Sequence, residues 1–197
     1  IFGKNPDKIW ELNNNKVISI INNKKIKIKA KPYFFLNNLI ESFNFPTPKN
    51  LPPICSLLSG FFSYDIIRYI EKIPDNCSDD LKIPDIRLIR PKTIIIHDNL
   101  LKKIYFIINT FADEKIKNYK NHYNDQIKKI SYLKNLAFYS SAKNFKKISH
   151  FKKNKIKSNI SKNEFKKIVL KAKKYIKKGD IFQVVLSQRF ESKLREV

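Results

Sequence analysis

At the start of the chain, apolar and polar residues alternate with a period of two, the pattern of half-buried strands. "KIWEL", "KVISII" and "KIKIKA" are three such segments. The asparagine-rich breaks Asn13-Asn14-Asn15 and Asn22-Asn23 separate them. Asparagine tolerates the left-handed backbone of tight hairpin turns, so a β-meander is predicted. The period then lengthens. Pro32 suits a first helical turn, and Tyr33, Leu36, Ile40 and Phe43 follow at helical spacing. That helix must end before "FPTPKNLPP", whose prolines make it a connector.

"SLLSGFF" predicts a buried strand around Gly60, and Ser63 is placed to cap a helix carrying Asp65, Arg68 and Glu71 at i, i+3 positions. Such a ladder is read as a helix-face ion network. After the acidic loop from Pro74 to Pro84, "RLIRPKTIIIHDNLLKKIYFIIN" predicts two strands joined at His97-Asp98-Asn99. His97 is therefore a turn residue; with no carboxylate or cysteine cluster beside it, it is no ligand or base, and His122 and His150 read the same way.

From Ala112 to Leu136 the spacing of Ile116, Tyr119, Tyr123, Ile127 and Ile130 predicts a long amphipathic helix packed on the core. Asp113 and Glu114 fall in its first turn, where the macrodipole favours acid. Residues 139–160 are lysine- and serine-rich without a period and read as a linker. Ser161-Lys162-Asn163-Glu164 then matches a capping box, and Phe165, Ile168, Val169, Ala172 and Ile176 form the apolar face of a new helix closed by Gly179. A strand is predicted from Ile181 to Phe190, with Gln183, Val185, Ser187 and Arg189 on one face.

Composition changes this picture in three places. An apolar fraction of 42% suits a packed core, and no apolar run is long enough to span a bilayer. Only two cysteines, Cys55 and Cys77, are present, in no metal-like spacing, and both read as ordinary reduced residues. The net charge of +24 raises nucleic acid as a partner. The cations, however, are mostly lysine, spread along the chain with isoleucine and asparagine as an AT-rich genome would encode; no nucleic-acid role is expected. The chain has no methionine and opens on Ile1-Phe2-Gly3, with no leader in view. It is read as a piece whose true start lies upstream.

"YIKKGDIFQVVLSQRF" closely resembles the start of the chorismate-binding domain of the anthranilate synthase component I family. "LSGFFSYDIIRYIEKIP", "DDLKIPDIRLIRPKTIIIHD" and the opening "FGKNPDKIWEL" are similar to that family's N-terminal domain, with Ser63 where its pattern has glycine. The resemblance implies an α+β fold, a layered antiparallel β-sheet sandwich with flanking helices. It divides the chain into an N-terminal domain over 1–138, the 139–160 linker, and the first helix and strand of the catalytic domain over 161–197. It further implies a cytoplasmic lyase converting chorismate and ammonia to anthranilate and pyruvate in tryptophan biosynthesis. Ammonia would come from a glutamine amidotransferase subunit, tryptophan would inhibit by feedback, and no membrane partner is expected.

On the same resemblance, the Mg2+-binding glutamates and most chorismate-binding residues belong beyond Val197, so no metal ligand is expected here and the isolated chain is expected to be inactive. Gln183 is the one candidate catalytic residue. Water-activating relatives carry a lysine general base at its position; glutamine takes up no proton and suits ammonia, which needs no base. Two alternatives remain open: aminodeoxychorismate synthase component I of the folate pathway, and a binding or regulatory module without catalysis.

Overall fold

The computed structural model describes residues 1–43, 45–76, 78–139 and 155–193. The chain divides into two units, Ile1–Ser141 and Ala142–Val197. Cys77, His150 and most of the proposed linker lie outside the described residues.

The first unit is built on a six-stranded antiparallel sheet. The meander forms as read: β1 (Phe2–Asn13), β2 (Lys16–Ile21) and β3 (Lys24–Ile28) pair in sequence order. Asn14, Asn15, Asn22 and Asn23 all carry positive φ between 46° and 62°, which is why asparagine occupies both turns. The long strand β5 (Ile86–Asp98) lies against β1 on one edge. Its other edge is shared by two short strands, β4 (Ser59–Phe62) and β6 (Lys103–Ile108).

Alternation along these strands decides what is buried. Trp10, Leu12, Val17, Ile86 and Leu88 form one cluster, closed by Leu39 of α1 (Pro32–Glu41). Phe35, Leu36 and Phe43 pack against it. Tyr33 and Ile40, two of the four residues read as the helix's apolar face, are instead 62% exposed each, because the buried side runs through Pro32, Phe35, Leu36 and Leu39. A second cluster joins Ile94, Ile96 and Ile107 to the buried Cys55.

Four further expectations are corrected. β4 forms around Gly60 but its four residues are exposed, since it is a sheet edge and not an interior strand. Tyr64–Tyr69 is a short 3-10 helix, and Ser63 at its start makes no side-chain cap. Arg68 bonds Asp65 at 3.0 Å and then turns to the carbonyls of Ile73 and Pro74 and to Asp75, so the ladder does not continue to Glu71. Finally, β5 runs on through His97, which pairs with Ile104, and the reversal lies at 99–102. There Asp98 Oδ1 accepts from the amides of Leu100 and Leu101 at 2.9 and 2.8 Å, an Asx turn two residues later than the pattern implied.

The helix expected from Ala112 begins only at α2 (Tyr119–Tyr139). Its half-buried positions are His122, Gln126, Ile130 and Leu133, with Phe138 against Phe106 of β6 at 6.2 Å. Tyr119, Tyr123 and Ile127, expected in the core, are exposed.

The second unit contains β7 (Lys157–Ser158), α3 (Lys162–Lys178) and β8 (Phe190–Glu191). The capping box is present in full. Ser161 Oγ accepts from the Glu164 amide at 3.2 Å, and Glu164 Oε2 accepts from the Ser161 amide at 3.0 Å. Those bonds hold the Glu164 carboxyl below its usual range. Gly179 closes the helix at φ +81°, a left-handed position that favours glycine.

Candidate functional site

Gln183 lies four residues beyond Gly179, in the extended run between α3 and β8. The Asp180 amide bonds back to the Tyr175 carbonyl at 3.1 Å and fixes the direction in which this run leaves the helix. Residues 181–189 form no ladder, which corrects the predicted strand. Alternating sequence makes a strand only when a partner backbone is available, and here pairing begins at Phe190, opposite Ser158. The Arg189 amide donates to Asn159 Oδ1 at 2.8 Å, and the Asn159 amide donates to the Arg189 carbonyl at 3.1 Å. Arg189 also pairs with Glu191 at 2.9 Å.

Gln183 and Ser187 are exposed, as are Phe182 at 95% and Val185 at 83%. The arrangement presents an amide and a hydroxyl on an extended backbone, donors and acceptors without a base. Among the described residues, no group of three or more His, Cys, Asp or Glu side chains is arranged to hold a metal ion.

His97 is exposed on β5, and His122 Nε2 lies 3.0 Å from Thr110 Oγ1. Cys55 is buried, its carbonyl accepting from Asn109 Nδ2 at 3.0 Å.

The most elaborate polar group in the first unit centres on Arg90, which sequence reasoning passed over. Only 7% exposed, its guanidinium forks onto Asp7, with Nε to Oδ1 at 2.9 Å and Nη2 to Oδ2. Nη2 also donates to Asp113 at 3.1 Å, and Lys8 pairs with the same carboxylate. The guanidinium lies 3.8 Å from the centre of the Phe111 ring, Phe111 packs on Phe43 with ring centres 6.3 Å apart, and both rings line a cavity of about 460 Å³. Burial alone would lower the Arg90 pKa, but the bonds and charges of Asp7 and Asp113 outweigh it and raise it. Asp113 is the converse: burial would raise it, and Lys8 and Arg90 hold it below its ordinary value. The signal was legible as an arginine on the buried alternation of its strand, in step with Ile86 and Leu88, a charge that cannot be buried unpaired.

The fold is α+β, an antiparallel sheet with flanking helices, and the chain belongs to the chorismate binding enzyme family, whose model matches residues 3–196. Its relatives carry a narrower name. It is 34% identical over 192 residues to anthranilate synthase component 1 of Acetivibrio thermocellus, covering 96% of this chain and 39% of that protein. With anthranilate synthase component 1 of Aquifex aeolicus it shares 32% identity over 168 residues, or 83% of this chain and 33% of that one. The crystal structure of anthranilate synthase component I from Streptococcus pneumoniae has the same fold, with a TM-score of 0.74 at 24% identity over 98% of this chain and 41% of the other. The chain thus spans roughly two fifths or less of the length of these relatives. None of its described helices is long and apolar enough to cross a membrane.

Proposed function

We propose that this chain serves anthranilate synthase component I, the enzyme that joins ammonia to C2 of chorismate and eliminates pyruvate to leave anthranilate. The observation that carries the reading is the similarity to proteins of that name across nearly the whole chain. The glutamine-bearing run after Gly179 supports it chemically. In this reading Gln183 lines the nucleophile side of the chorismate pocket, where its amide orients ammonia by hydrogen bonds and offers no base to activate water.

The finer features belong to the same reading. Ammonia arrives from a glutamine amidotransferase subunit, Mg2+ is held by glutamates outside the described residues, tryptophan inhibits by feedback, and the enzyme works in the cytoplasm. Supplying the full-length gene that contains this chain to a tryptophan auxotroph lacking component I tests the assignment; growth without tryptophan is expected, and none would overturn it. Gln183→Ala, assayed with ammonium in the protein as encoded, is expected to lower kcat by about tenfold to a hundredfold if the amide positions the nucleophile. Unchanged ammonia-dependent turnover would remove Gln183 from the site while leaving the family intact.

A further inference from the structure

We propose that the lysine face of α3 is a docking surface for an acidic protein partner. The helix has 17 residues and eight lysines, all exposed. At about 100° per residue they sort into two rows, Lys162, Lys166, Lys173 and Lys177 in one and Lys167, Lys171, Lys174 and Lys178 in the other, which together cover about half the circumference. The opposite half carries Phe165, Val169 and the buried Ala172. Glu164, the helix's one acid, is engaged by the Ser161 amide in the capping box.

This face is not explained by the helix itself. Lys177 and Lys178 lie in the last turn and complement the dipole, but the other six do not. Each row places like charges four residues apart (Lys162 and Lys166, Lys173 and Lys177, Lys167 and Lys171, Lys174 and Lys178), an arrangement that opposes helix formation. Two lysines of the first unit, by contrast, are paired, Lys8 with Asp113 and Lys92 with Glu114. A surface bearing opposite charge would relieve the repulsion on α3.

The chemistry of the face selects protein over nucleic acid. It carries no arginine, the forked donor suited to phosphates and base edges. Between the two rows stands Leu170, 60% exposed. An apolar centre rimmed by charge is the anatomy of a protein interface, whereas a phosphate backbone offers a leucine nothing.

The test uses the whole chain and a fluorescein-labelled amphipathic peptide with glutamates flanking a leucine stripe, read by anisotropy. Lys166→Gln, Lys167→Gln, Lys173→Gln and Lys174→Gln together are expected to weaken binding by about tenfold or more, with the helix retained by circular dichroism. A control removing the same charge from the meander, Lys24, Lys25, Lys27 and Lys29 to Gln, is expected to change it by less than about twofold. Leu170→Ala is expected to cost about fivefold, and lysine-to-arginine replacement of the four helix positions to keep affinity. Equal loss in both charge variants, indifference to Leu170, or tighter binding of duplex DNA than of the peptide at physiological salt would each overturn the proposal.

Discussion

Removing the Arg90 guanidinium would leave Asp7, whose side chain is 17% exposed, without its forked partner. Arg90→Ala is expected to destabilise the fold by about 3 kcal/mol, the scale for breaking a buried pair from one side. Arg90→Lys should recover little of it, because an ammonium cannot reproduce the fork onto Asp7 or lie flat on Phe111. Urea unfolding of both variants checks this. The network also has a pH signature. Asp113 titrates below its ordinary 3.8 in the folded state, so its contribution is complete above pH 3.8 and is lost as pH falls through the lowered value. Stability measured between about pH 5 and pH 2 should fall more steeply in the native chain than in Asp113→Asn. Ser63 makes the opposite case. Its backbone is ordinary extended chain at φ −72° and ψ 164°, so the family's glycine is not required there. Its buried Oγ has no hydrogen-bond partner among the described residues, and Ser63→Ala should stabilise by about 1 kcal/mol in thermal unfolding.

At the level of elements, what was legible in the sequence is what neighbouring residues determine. The capping box spans four residues, the Asn-Asn turns two, and Gly179 one; each carries its own conformational cause, and each formed as read. Elements whose limits depend on distant partners did not. Asp113 and Glu114 suit a helix start, yet they pair with Lys8, Arg90 and Lys92 on the sheet, and α2 begins at Tyr119 only after those bonds are made. Asn118 then serves its first turn, accepting from the Asn121 amide at 3.0 Å. The run from Ile181 alternates like a strand, but alternation specifies a face and supplies no neighbour. β4 shows how tightly a real pairing can constrain sequence. A Cβ on Gly60 would sit 1.8 Å from the Arg87 carbonyl oxygen across the β4–β5 pair, so Gly60→Ala should cost about 3 kcal/mol or unpair the edge, visible as faster amide exchange at Ser59–Phe62.

Over the whole molecule, the periodicities gave the meander, the central strand pair and α3, while the candidate site came from resemblance. That division has a physical cause. Folding of the first unit is governed by burial of Trp10, Leu12, Val17, Ile86 and Ile94, which any alternating pattern announces. Gln183 is exposed and its proposed role depends on a substrate, so periodicity alone does not mark it. Arg90 lay between these cases, marked by a charge on the buried alternation of its strand but interpretable only once Asp7 and Asp113 were placed beside it. The central claim concerns the reaction, and product analysis tests it most directly. The full-length gene product containing this chain, given chorismate, Mg2+ and ammonium, should yield anthranilate and pyruvate in equal amounts, whereas residues 1–197 alone should yield neither. Aminodeoxychorismate as the product, or conversion of chorismate by water without ammonium, would contradict it.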